Sequence, residues 1–287
     1  MSALGGNDGG AGMPATDEPD ADGRHLIALD LDGTLLGGDG QVSVRARAAI
    51  ATVAAAGHLV VAVTGRSRWS ALERLEGIVA IGSVCGANGA YLHDVASGAL
   101  LWSHPVSAAE ARRWMQRVRA RFADASFGRE TDSGVFYERR FLAEGGEPEV
   151  MERGGVPPEV AEAPLYKLYI RTPAAVGEDL QRVVVPLLGE AAEVSTSGAP
   201  FVEATAPNVD KGSALVRLAS DAGVPLARTI AFGDNLNDVP MFDRAGLAVA
   251  MGNAHEDILA MADRTAPTNL EDGVARMLET LLAEGRL

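Results

Sequence analysis

A single cysteine, Cys85, is present, so no disulfide can form within the chain; a buried, inert thiol in a reducing compartment is the expectation. Basic residues are in short supply: 25 Lys and Arg against 39 Asp and Glu leave a formal charge of −14, which argues against nucleic acid or an anionic membrane surface as a partner. An anionic small substrate stays compatible with that charge if a bound cation and a well-placed lysine supply local positive potential. No apolar run approaches the roughly 18–20 residues needed to cross a bilayer, and the N-terminus lacks the basic and apolar regions of a signal peptide. A cytoplasmic protein is therefore expected. Residues 1–24 lack apolar periodicity and are rich in Gly, Ala, Asp and Pro, so they cannot offset the entropy of ordering and read as a disordered tail. There is no internal repeat at a fixed period, and nothing in the sequence reports oligomeric state, for which a monomer is the default.

What is present is ample apolar content, 47% of 287 residues, enough for one sizeable core or two smaller ones. The run from His25 to Asp30 has the continuous apolar character of a buried parallel strand. Ser43 then caps a helix through Ala56, which Gly57 ends in a left-handed conformation. Further strands are expected at His58–Val63, Ile81–Cys85, Thr229–Phe232 and Leu247–Met251, each beside helical sequence. Strands alternating with helices predict an α/β fold, a Rossmann-like, mostly parallel sheet with helices on both faces. The middle of the chain differs. Ser107 and Glu110 have capping-box spacing ahead of an amphipathic helix built on Ala111, Trp114, Met115, Val118 and Phe122. Its other surface carries Arg112, Arg113, Arg117, Arg119 and Arg121, either a solvated face or a binding face. Leu165–Ile170 and Phe201–Ala204 read as strands separated by a helical stretch, and Ala143–Ala163, rich in Glu, Gly and Pro, as loop with uncertain helix.

Four short segments carry chemistry. Asp30-Leu31-Asp32-Gly33-Thr34 sets two carboxylates two residues apart where an apolar strand meets a glycine turn, and open α/β sheets bind ligands at such strand ends. Strand alternation sends both side chains the same way, into the crevice. One carboxylate can attack phosphorus while the other, kept partly protonated, serves the leaving group. Thr64-Gly65-Arg66 ends the next strand and offers a hydroxyl, an amide and a guanidinium to phosphate oxygens. Lys211 opens a helix, where the macrodipole disfavours a cation. Gly233-Asp234-Asn235-Leu236-Asn237-Asp238 crowds carboxylates and amides after a strand, hard oxygen donors of the kind Mg²⁺ prefers. In isolation each segment is equally an acidic turn, a helix cap or a surface lysine. Together, in this order, they supply every part of a phosphoryl-transfer site.

Those four segments resemble the four motifs of the haloacid dehalogenase superfamily of phosphatases, and the resemblance runs from His25 to the C-terminus. It implies that Asp30 is a nucleophile forming an aspartyl-phosphate and that Asp32 is the general acid and base. Thr64, Gly65, Lys211 and Asn237 would hold the phosphate. Mg²⁺ would be bound by Asp30, the main-chain carbonyl of Asp32 and Asp234, supported by Asp238. The superfamily inserts a lid at one of two places. The interval from Asp30 to Thr64 holds only a turn, a helix and a strand, so the lid belongs in the far longer interval before Lys211. Asn88-Gly89-Ala90, the hairpin through about Trp102 and the form of the last motif resemble the type IIB, Cof-like subgroup. Core at 25–105 and 206–287, an α+β cap at 106–205 and hinges near 104–107 and 205–209 follow. The resemblance implies a small phosphorylated metabolite as substrate, a sugar phosphate being the generic choice, with Arg66, Asn88 and cap arginines as candidate specificity residues. A mutase resembling phosphomannomutase and an inactive metabolite-binding module are the competing readings. An aromatic-lined cap would point instead to a ring-bearing substrate.

Overall fold

The apolar run ahead of Asp30 forms strand β1 (Leu26–Leu29), with all four residues buried. Its alternation serves two cores at once: Ile27 and Leu29 enter one apolar cluster, Leu26 and Ala28 another on the opposite face. In the computed structural model, which describes residues 23–143, 152–154 and 158–287, β1 lies near the centre of an eight-stranded sheet. The following strands of this sheet are β2 (Leu59–Val63), β3 (Ser83–Gly86) and the hairpin β4 (Tyr91–Asp94) and β5 (Leu100–Ser103). The chain then builds β6 (Ser126–Thr131), β7 (Gly134–Tyr137), β8 (Glu152–Gly154), β9 (Lys167–Arg171), β10 (Glu193–Ser195) and β11 (Val202–Thr205). It returns to the first sheet with β12 (Thr229–Gly233), β13 (Leu247–Ala250) and β14 (Arg264–Thr265).

The order of the first sheet is β14-β13-β12-β1-β2-β3-β4-β5. Every pair from β14 to β3 is parallel, and only the β3-β4-β5 edge is antiparallel. Helices Val44–Ala55 and Gly273–Ala283 cover one face, while Lys211–Ala222 and Val239–Phe242 cover the other. The Ser43 cap is real, its hydroxyl accepting from the Ala46 amide, and Gly57 sits at φ +95° after the helix. This is the Rossmann-like α/β arrangement expected. The third strand starts two residues later than the apolar run at Ile81 suggested.

The second sheet, β10-β11-β9-β6-β7-β8, is antiparallel apart from the β7–β8 pair. Alternation divides it sharply. Phe127, Leu168, Ile170, Val202 and Ala204 face helices Ala108–Arg121 and Gly177–Leu188 in one apolar cluster. Registers Glu130↔Lys167, Gly128↔Tyr169, Gly128↔Tyr137 and Glu203↔Tyr169 put the other set together on the opposite face. Strand β6 escapes the sequence reading because its charged residues break the apolar pattern, and β7 because it is only four residues long; Arg129 and Glu130 are nevertheless buried. At helix Ala108–Arg121, Ser107 accepts from the Glu110 amide as predicted, but the Glu110 carboxylate accepts from the Trp114 indole at 3.1 Å instead of closing a box. Of the arginines of that helix, Arg112 pairs with Glu162, Arg113 with Glu110 and Arg119 with Glu138.

The predicted tail, apart from its last two residues, and most of the Ala143–Ala163 loop lie outside the described residues. Within that loop the chain includes β8 and a short helix at Pro158–Ala161. No helix among the described residues is long and apolar enough to cross a membrane.

Candidate active site

Asp30 follows β1, its amide donating to the Phe232 carbonyl of β12 at 3.1 Å. Its side chain is 5% exposed. The turn Leu31–Leu35 then passes beneath the β12 loop, and Gly33 adopts φ +71° there. A Cβ at Gly33 would stand 2.2 Å from Asp234 Oδ2, so both the conformation and the space demand glycine. Thr34 Oγ1 donates to Asp234 Oδ1 at 3.0 Å, and Asn253 Nδ2 donates to the Gly33 carbonyl at 2.8 Å. These two polar anchors were not read from the sequence, although Thr34 lies inside the first motif.

Lys211 is placed by the reciprocal cap between Asp210 and Ser213, which fixes the first turn of its helix. Its ammonium is fully buried and donates to Asp30 Oδ1 at 2.7 Å and Asp238 Oδ1 at 2.6 Å. The other oxygen of Asp238 accepts from the Asp234 and Asn235 amides at 3.0 and 3.1 Å, so one carboxylate holds both the lysine and the loop. The unusual cation at a helix start thus has a cause in tertiary pairing.

Asp30, Asp234 and Asp238 bring carboxylate oxygens within 4.8 Å of one another. Burial drives the Asp30 carboxyl well above its usual range; Asp238 and Asp234 add to the rise, and Lys211 opposes it. Asp234 is raised to about 6 by burial and by Asp238, against the Thr34 hydrogen bond. Burial would lower Lys211, but Asp238 and Asp30 more than offset it and hold the ammonium above its ordinary value. One lysine against two buried carboxylates and a half-buried third leaves the cluster short of positive charge. A divalent cation bound through hard oxygen donors fits that imbalance and that donor set.

Asp32 lines the same cavity between the sheets as Asp30, the side that the strand end led one to expect, and both its oxygens accept from Arg66, from Nε and Nη2, at 2.6 Å each. Arg66 Nη1 also reaches Ser70 Oγ at 2.5 Å. Thr64 is buried, its hydroxyl accepting from the Arg66 amide at 3.1 Å, and the N-cap of the following helix is Ser67, not Thr64. Asn237 Nδ2 donates to Asn88 Oδ1 at 3.2 Å, while the buried Asn237 Oδ1 accepts no hydrogen bond.

The two sheets meet over this cluster. Asn88 Nδ2 donates to Glu203 Oε2 at 2.7 Å and to Ser195 Oγ at 3.1 Å. Lys167 donates to Glu203 Oε1 at 2.6 Å and to the Gly65 carbonyl. Between the sheets lies a cavity of about 350 Å³, bounded below by Asp30, Asp32, Gly65, Arg66 and Asn237. Thr64 and Lys211 lie beneath this floor. Lys167, Glu203 and Arg171 line the upper wall together with aromatic rings. Lys167 and Glu203 were invisible in sequence because each reads as an ordinary charged residue in a strand. The alternation that puts them opposite Tyr169 is their only local signal.

Comparison with known proteins agrees with this geometry. The model of the haloacid dehalogenase-like hydrolases matches residues 27–278. The phosphatase YwpJ of Bacillus subtilis is 30% identical, over 90% of this chain and 99% of its own. The 5-amino-6-(5-phospho-D-ribitylamino)uracil phosphatase YcsE of the same organism is 28% identical over 88% of this chain and 94% of its own. Among solved structures, the phosphatase BT1666 from Bacteroides thetaiotaomicron superposes with a TM-score of 0.76 at 26% identity, over 91% of this chain and 97% of its own.

Proposed function

Because the chain belongs to the haloacid dehalogenase-like hydrolases, as a phosphatase of type IIB, we propose that it hydrolyses a small phosphomonoester through an aspartyl-phosphate on Asp30, with Mg²⁺ as cofactor. The observation that carries this reading is the buried Asp30 carboxylate, gripped through one oxygen by Lys211 at the floor of a cavity.

Lys211 holds Oδ1, so Oδ2 is the oxygen that attacks phosphorus. The new Oδ2–P bond forms as the bond from phosphorus to the ester oxygen breaks, and Asp32 gives that oxygen a proton. Asp32 must leave Arg66 to do so, a side-chain rotation that the exposed position of Asp32 permits. Water then attacks phosphorus, Asp32 takes its proton, and inorganic phosphate leaves with Asp30 restored. Thr64, the Gly65 amide, Lys211 and Asn237 hold the phosphoryl oxygens. Asp30, Asp234 and the Asp32 carbonyl would hold Mg²⁺, with Asp238 completing the acidic cluster; when bound, the cation offsets the charge of nucleophile and phosphate. The second sheet with its helices, at about 106–205, acts as a cap that excludes water while the ester is bound. A relative named for a phosphorylated ribitylaminouracil supports a small phosphorylated metabolite as the substrate class.

The test is phosphate release from a panel of phosphomonoesters, with Mg²⁺ and with excess chelator, running Asp30→Asn beside the wild type. Magnesium-dependent release that vanishes in Asp30→Asn is expected. Turnover only when an acceptor sugar is added would replace hydrolysis with a mutase reaction.

A further inference from the structure

The cavity wall formed by the second sheet is built on aromatic rings. Tyr137, Phe141, Tyr169 and Phe201 converge there, with Tyr137 stacked on Phe141 at 4.9 Å between centroids. Phe201 stands 5.7 Å from Phe141 and 5.6 Å from Tyr169, so the rings form one continuous apolar group. The chain uses 7 Phe, 4 Tyr and 3 Trp in 287 residues, which makes four rings at one cavity a concentrated investment. Backbone space is given up for it as well. Gly128 lies opposite both Tyr137 and Tyr169, and a Cβ there would come within 2.4 Å of the Tyr137 ring.

The polar side chains beside the rings are Lys167, Arg171, Ser197, Asn235 and Glu203. Glu203 accepts one hydrogen bond at each oxygen, from Lys167 and from Asn88, and a carboxylate has capacity for more. Behind it the buried Glu130 accepts from Tyr91 at 2.5 Å and from Tyr169 at 3.3 Å. A planar ring would stack on the wall and offer N–H donors to Glu203.

From this wall we infer that the leaving group is a planar heteroaromatic alcohol bearing amino or ring N–H donors, with Phe141, Phe201, Tyr137 and Tyr169 holding the ring and Glu203 reading its edge. The inference rests on the phosphomonoesterase reading for the placement of the phosphate. It replaces the generic sugar phosphate with a narrower class.

Binding separates this inference from the chemistry. Asp30→Asn protein is titrated calorimetrically with pyridoxine 5′-phosphate and with glucose 6-phosphate, and phosphate release from both is followed in the wild type. The ring ester is expected to bind at least about tenfold more tightly, the scale of one good ring contact. Phe141→Leu and, independently, Phe201→Leu in the same background should bring the ratio of the two affinities close to one. Equal affinities, a preference for the sugar ester, or no binding of the ring ester overturns the inference. Ring preference in binding with no phosphate released by the wild type keeps the inference and rejects the phosphatase reading. Efficient release without ring preference does the reverse.

Discussion

Removing the Lys211 ammonium while keeping the bulk of its stem, as in Lys211→Met, tests whether the buried charge cluster is held together by that one cation. In the folded protein Lys211 has no solvent exposure and touches Asp30 and Asp238 at 2.7 and 2.6 Å. Deleting one member of a buried pair costs about 3–5 kcal/mol, because the remaining charge is left uncompensated. For a domain of this size that corresponds to a fall in Tm of roughly 6–20 °C. The loss should depend on pH. Burial already raises Asp30, and without the lysine its carboxyl rises further, so lowering the pH from 7 to 5 favours the protonated Asp30 and relieves part of the penalty. Urea unfolding in chelator at both pH values measures this directly. A double variant, Lys211→Met with Asp238→Asn, should recover part of the loss at pH 7. A cost below about 1 kcal/mol, or an equal cost at both pH values, would refute the reasoning.

Other outcomes follow from the same geometry. Arg66→Ala should cost no more than about 1 kcal/mol by urea unfolding, because its partner Asp32 is 56% exposed and such pairs are screened. Asp32→Asn should lower kcat for an alkyl phosphate by about 10²- to 10⁴-fold, the range for losing a general acid, with the fold intact by circular dichroism. Gly33→Ala should abolish phosphate release, since the new methyl group would collide with Asp234 and the backbone would have to leave φ +71°. In metal-free protein a carboxyl raised to about 6 at Asp234 favours folding below pH 4 and loses that contribution as pH rises through 6. Wild type should therefore lose stability relative to Asp234→Asn between pH 4 and pH 7 in chelator, and the calorimetric affinity for Mg²⁺ should weaken as pH falls below 6.

The central sheet was legible because its strands are buried on both faces and read as unbroken apolar runs, as at Ile27–Leu29 and Val60–Val63. The floor of the site was legible for a related reason: Asp30, Thr64 and Asp234 stand where such runs stop, so their polarity is conspicuous. The cap was less so. Strand β6 carries Phe127 toward the helices and Glu130 toward the cavity, and two buried faces of opposite character leave no simple hydrophobic period. Glu203 and Lys167 acquire meaning only through pairing with each other and with Asn88 and Gly65, all distant in sequence. Asp32 illustrates a different limit: it shares the cavity with Asp30, but its pairing with Arg66 through both carboxylate oxygens was not legible, because the two residues lie 34 positions apart in the chain.

The claim on which the account turns is that Asp30 carries the phosphoryl group during turnover. Wild-type protein turning over a phosphomonoester with Mg²⁺, quenched in acid and digested, should yield the peptide containing Asp30 heavier by one phosphoryl group, and Asp30→Asn should yield none. Phosphate release that proceeds with no adduct on Asp30, or that persists in Asp30→Asn, would contradict it.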